Sequence, residues 1–173
     1  MKENKKWLIT TFILTFALAM VFGGVSNVVI EKMNLVMAII VLAFVIALGI
    51  VFDMIGMAIA TCEEAPFHAK AAKKHSGAKE VLRLLKAKDR ATNISNDLIG
   101  DICGIVSGST GAVIAIKMVK QYDLNSLIIT LLVMGIISAL TIGGKALEKG
   151  FAMKKSNNIL FNFARILSIF SKE

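Results

Sequence analysis

Four long apolar runs, at residues 7–30, 35–61, 92–117 and 124–144, constrain this chain more than anything else in it. Each is long enough, at about 1.5 Å of rise per helical residue, to cross a hydrocarbon layer about 30 Å thick. The expected fold is therefore an all-α integral membrane protein with four transmembrane helices, forming a single membrane domain over residues 1–173. Composition agrees, because 56% of the residues are hydrophobic, against about 45–50% in a soluble domain. The first run is too long for the core of a cleavable signal, and Phe22-Gly23-Gly24-Val25 continues it. It reads as a retained span with Trp7 at the interface.

Two further stretches are amphipathic. Over residues 63–90, Phe67, Ala71, Ala78, Val81, Leu82 and Leu85 share one helical face and lysines surround it. Pro66 is tolerated in the first turn of such a helix, and Gly77 is a point at which it can divide. Over residues 146–172, Ile159, Leu160, Phe163, Ile166, Leu167 and Phe170 form a second apolar stripe. Both helices are expected at the membrane surface.

Orientation follows from charge. Of 20 Lys and Arg residues, only Lys32, Lys117 and Lys120 fall on one side of the four spans. The excess marks the cytoplasmic side, so both termini and the basic helix are placed there, in a multi-pass protein of the cell membrane. The net charge of +8 then speaks for anionic lipid rather than nucleic acid. Cys62 and Cys103 have no neighbouring His or Cys ligands and read as small apolar residues.

The third span is polar at its cytoplasmic end. Asn93, Asp97 and Asp101 are spaced by four and share one face of a helix, with Asn96 nearby. Gly100, Gly104 and Gly108 form a parallel line suited to close helix approach. Span two carries Asp53, about 13 Å inside its cytoplasmic end, while Asp97 and Asp101 lie roughly 8 and 14 Å inside theirs. Ser138 and Thr141 of span four share that layer. Asp53, Asn93, Asn96, Asp97 and Asp101 are thus the candidate metal ligands, an oxygen set of the kind hard divalent cations such as Mg²⁺ require. With no Lys or Arg expected at that depth, a bound cation or protonation would neutralise the carboxylates. Helix capping is the competing role for Asp97, and an interfacial position the competing one for Asp53.

Ser107, Ser109 and Thr110 are the hydroxyls within span three, and no His or Lys base is spaced to activate them. No enzyme activity, catalytic residue or organic cofactor is expected.

The order of these parts resembles the transmembrane domain of the cyclin M (CNNM)/CorB–CorC magnesium and cobalt transporter family, over about residues 45–170. Phe52-Asp53-Met54-Ile55-Gly56-Met57-Ala58 is similar to the family's Phe-Ser-x-Ser-Glu-x-Ala segment. Residues 78–85 and Asp89-Arg90 are similar to its cytoplasmic helix, and residues 144–149 to its Gly-Glu-x-x-Pro-Lys turn. The resemblance implies a homodimer that transports Mg²⁺, and also Co²⁺, through an acidic cavity open to the cytoplasm. It implies a cation held between the regions of Asp53 and of residues 93–101. Where the family carries paired serines and a Glu, this chain has Asp53, Ile55 and Gly56, so its site would hold more carboxylate. The sequence shows no nucleotide-sensing CBS pair, so no ATP control is carried over. A non-transporting membrane scaffold or regulatory subunit, built on the same bundle, is the alternative function.

Overall fold

The computed structural model describes residues 2–170, with side-chain environments from residue 8 to residue 169. Trp7, Phe170 and Lys172 therefore contribute no described side chain. Every described element is helical. Helix α1 spans Lys2–Lys32 and α2 spans Leu35–Thr61; the Asn34 side chain caps α2 by accepting from the Met37 N–H at 2.8 Å. Helices α3 (Ala65–Ala72), α4 (Ala78–Lys86) and α5 (Lys88–Asn93) follow. A π-helical segment, Ile94–Gly100, leads into α6 (Asp101–Tyr122), and α7 (Ser126–Lys154) and α8 (Ser156–Phe170) complete the chain. Four helical stretches are long and apolar enough to cross a membrane: Leu8–Lys32, Leu35–Thr61, Lys88–Tyr122 and Ser126–Lys154.

The basic helix divides at Gly77, as its sequence allows: the glycine adopts a left-handed backbone with φ of 87°. Three helix boundaries differ from those expected. The third span does not begin at residue 92; it continues from α5 through the π-helical turns. Span four does not stop near residue 144, because Lys145-Ala146-Leu147-Glu148-Lys149 are good helix formers and carry α7 on to Lys154. The C-terminal amphipathic helix accordingly begins at Ser156, not at residue 146.

The residues cluster into two compact units. Residues 1–49 and 101–143 form the first, where α1 packs along α6. Its interior holds Ile30, Ala38, Ile114, Ala115 and Thr110, and Thr110 Oγ1 lies 3.0 Å from Ser26 Oγ. Lys117 donates from Nζ to the carbonyls of Ile30 (2.7 Å) and Met33, at the end of α1, where the Ile30 carbonyl also accepts from the Met33 N–H. Gly111 is where α6 meets Ile137 of α7. A β-carbon on Gly104 or Gly108 would touch nothing within 4 Å, so among the described residues these two members of the expected glycine line meet no neighbouring helix.

Residues 50–100 and 144–173 form the second unit. Its core is Ile55, Ile59, Cys62, Phe67, Val81, Leu85, Leu160 and Ala164. The apolar face predicted for residues 63–90 is thus spent against α8 and the end of α2. On α8 the buried line is Ser156, Leu160, Ala164 and Ser168, while Ile166 is exposed. Helix α8 therefore docks with its small residues inward, and the expected stripe is rotated from the buried one. Gly77 fits closely: a β-carbon there would come within 2.9 Å of the Arg165 nitrogen. Lys70 Nζ sits 4.3 Å from the Phe161 ring centre and 5.1 Å from that of Phe67, a cation–π arrangement that covers the outer edge of this core.

Candidate functional site: a buried oxygen cluster in the second unit

The polar residues of unit two converge where the π-helical segment meets α2. Ser95 donates its hydroxyl to the Phe52 carbonyl at 2.6 Å, tying the widened turn to the helix that carries Asp53. Such turns admit an extra residue into a helix and are often found at functional sites. Here the inward positions are Ser95, Asn96 and Gly100. Gly56 is required by Asn96: a β-carbon at residue 56 would overlap the Asn96 amide oxygen. The absent side chain of Gly56 thus makes room for a neighbouring amide.

Asp53 is 7% exposed. Its Oδ1 lies 3.7 Å from Lys145 Nζ of α7. This corrects the expectation that no Lys or Arg is available at this depth. Lys145 reads in the sequence as one more cytoplasmic charge; the extension of α7 past residue 144 brings it to Asp53 instead. Gly100 borders the same spot, since a β-carbon there would lie 3.7 Å from both Asp53 Oδ1 and Lys145 Nζ. Close approach of α7 to α2 is allowed by Gly144, whose missing side chain leaves room for Ile50.

Glu148 stands three residues beyond Lys145, on the same face of α7. It is 7% exposed, and neither carboxylate oxygen has a hydrogen-bond partner. It lies one helical turn from Lys145, whose ammonium reaches Asp53. Asn96 Oδ1 and Thr92 Oγ1 are likewise buried without a partner. Nearly all buried polar atoms in folded proteins are paired, so these four oxygens in one unit mark it as a candidate site. Glu148 and Thr92 do not stand out in the sequence: one looks like a surface helix charge, the other like the start of a span.

The five sequence-predicted ligands separate. Asp53 and Asn96 face the cluster. Asn93 and Asp97 are exposed on the other side of their segment, and Asp101 is exposed at the start of α6, in the first unit. Among the described residues, no group of three or more His, Cys, Asp or Glu side chains is placed to hold a metal ion. Any cation here would rest on a mixture of carboxylate, amide and hydroxyl oxygens, and on water.

The hydroxyls of span three have local partners. Ser107 donates to the Gly104 carbonyl at 2.9 Å and Ser109 to that of Val106 at 3.0 Å. Cys62 is buried beside α8 with Sγ 3.0 Å from Asn157 Oδ1, and burial pushes its thiol above the ordinary range. No protein-family model, curated protein or solved structure matches this chain.

Proposed function

We propose that this chain is a small membrane transporter for hard divalent cations, with Mg²⁺ as the main cargo and Co²⁺ as a second. One observation carries the reading: Asn96, Thr92 and Glu148 bury acceptor oxygens without partners in the unit that also buries Asp53. Hard cations are bound by such oxygens, and Mg²⁺ keeps part of its water, so a few protein ligands suffice. The exposed Asn93 and Asp97 on the same segment support an aqueous vestibule, since polar groups on a membrane helix need water or a partner. The excess of Lys and Arg beside this unit supports a cytoplasmic opening and cytoplasmic termini. The resemblance to the cyclin M/CorB–CorC transmembrane domain supports a homodimer as the working form. The scaffold reading keeps one specific support, the neutralisation of Asp53 by Lys145 without a metal.

The test is thermal stability of the detergent-purified chain titrated with Mg²⁺, Co²⁺, Ca²⁺ and Na⁺. A ligand that binds the folded state raises the melting temperature with concentration. Mg²⁺ and Co²⁺ are expected to do so in the wild type and in the exposed-site variant Asp97→Asn, and to fail in Asp53→Asn and Asn96→Ala. A wild type indifferent to all four ions favours the scaffold.

A further inference from the structure

Resting on the divalent-cation reading, we propose that Lys145 is a tethered competitor of the cargo: its ammonium occupies Asp53 when no cation is bound, and must leave for one to bind between Asp53 and Glu148. The geometry suits an exchangeable plug better than a fixed strut. At 3.7 Å the Lys145–Asp53 pair is an ion pair beyond hydrogen-bond length. The Lys145 side chain is 24% exposed while that of Asp53 is 10% exposed, so the ammonium has a way out and the carboxylate does not. Lysine carries its charge on a flexible four-carbon stem and can swing from a buried carboxylate to water. Gly100 leaves the space between them unfilled by any side chain of its own.

Glu148 supplies the second half. It is buried, on the same face of α7 as Lys145, and both its oxygens are unpartnered. With both carboxylates ionised, Asp53, Glu148 and the Lys145 ammonium together leave one negative charge over. With Lys145 withdrawn there are two, matching a divalent ion and overmatching a monovalent one. A single side chain would thereby set both affinity and preference for double charge.

The experiment measures Mg²⁺ binding by melting temperature in the detergent-purified chain, comparing wild type with Lys145→Met, Lys145→Gln and Lys145→Arg. The two neutral variants should melt lower without ion, and should reach half of their Mg²⁺-induced shift at a concentration at least tenfold below wild type. Lys145→Arg keeps the charge and should stay near wild type; an equal gain there would refute competition by charge. Adding Glu148→Gln to Lys145→Met should abolish the gain. If Lys145→Met does not fold, Lys145→Gln, which retains polar contacts, carries the comparison. A wild type that binds Mg²⁺ while the neutral variants bind equally or more weakly overturns the role of Lys145 and leaves the transport reading standing. No ion response in any variant overturns both.

Discussion

Gly77 offers the sharpest test of how the second unit is built. Its φ of 87° lies in the left-handed region, which costs a residue with a side chain roughly 1–2 kcal/mol. The second cost is contact. A β-carbon would lie 2.9 Å from the Arg165 nitrogen and 3.0 Å from its α-carbon. These are backbone atoms of α8 and cannot rotate away, so overpacking adds about 1–3 kcal/mol. Gly77→Ala should therefore destabilise the unit by roughly 2–5 kcal/mol. At about 2–4 °C per kcal/mol for a chain of this size, the melting temperature should fall by on the order of 10 °C. Cys62 gives an independent readout, because it is buried against Asn157 of α8. In a Cys103→Ser background, maleimide should modify Cys62 at least ten times faster once the added methyl group pushes α8 away. Gly77→Asn separates the two costs: asparagine tolerates left-handed backbone but still carries a β-carbon, so it should recover about 1 kcal/mol and no more. An unchanged melting temperature and an unchanged Cys62 rate in Gly77→Ala would refute the docking of α4 on α8.

Three further outcomes are expected. Gly56→Ala should displace the Asn96 amide and weaken Mg²⁺ binding, its gain of about 1 kcal/mol in helix propensity offsetting part of the overpacking; Gly150→Ala, where a β-carbon meets nothing within 4 Å, should show only the gain, read as a higher melting temperature. Asp53→Asn removes the Lys145–Asp53 ion pair and should cost on the order of 2 kcal/mol without ion, less than the roughly 3–5 kcal/mol of a fully buried pair because Lys145 can reach water. Lys117→Met removes the charged donor shared by the carbonyls of Ile30 and Met33 and should cost about 1.5–3 kcal/mol by thermal melting, with no change in the Mg²⁺ response.

What could be read from the sequence divides along physical lines. The extent of helix α2 is legible from the sequence, because a polar turn at residues 31–34 precedes a long apolar run. The inward face of α4 was legible from its 3.6-residue period. The docked face of α8 cannot be read from hydrophobicity alone: Leu160 of the apolar stripe is buried, but Ala164 and Ser168 complete the docked line while Ile166 stays exposed. At the site, burial of a lone carboxylate pointed to Asp53. The π-helical turns leave no mark on a four-residue spacing, so the inward and outward polar residues of 93–100 could not be sorted. Lys145 and Glu148 were hidden by their ordinariness, two charges on a helix that continues past its apolar run.

The central claim is that the buried oxygens of unit two conduct a divalent cation, and flux measures this directly. The purified chain would be placed in liposomes loaded with a Mg²⁺-sensitive dye, beside Asp53→Asn protein and protein-free vesicles. The account predicts Mg²⁺ entry above the protein-free rate in the wild type, and entry reduced to that background in Asp53→Asn. Wild-type flux equal to background, or flux undiminished in a folded Asp53→Asn protein, would contradict it.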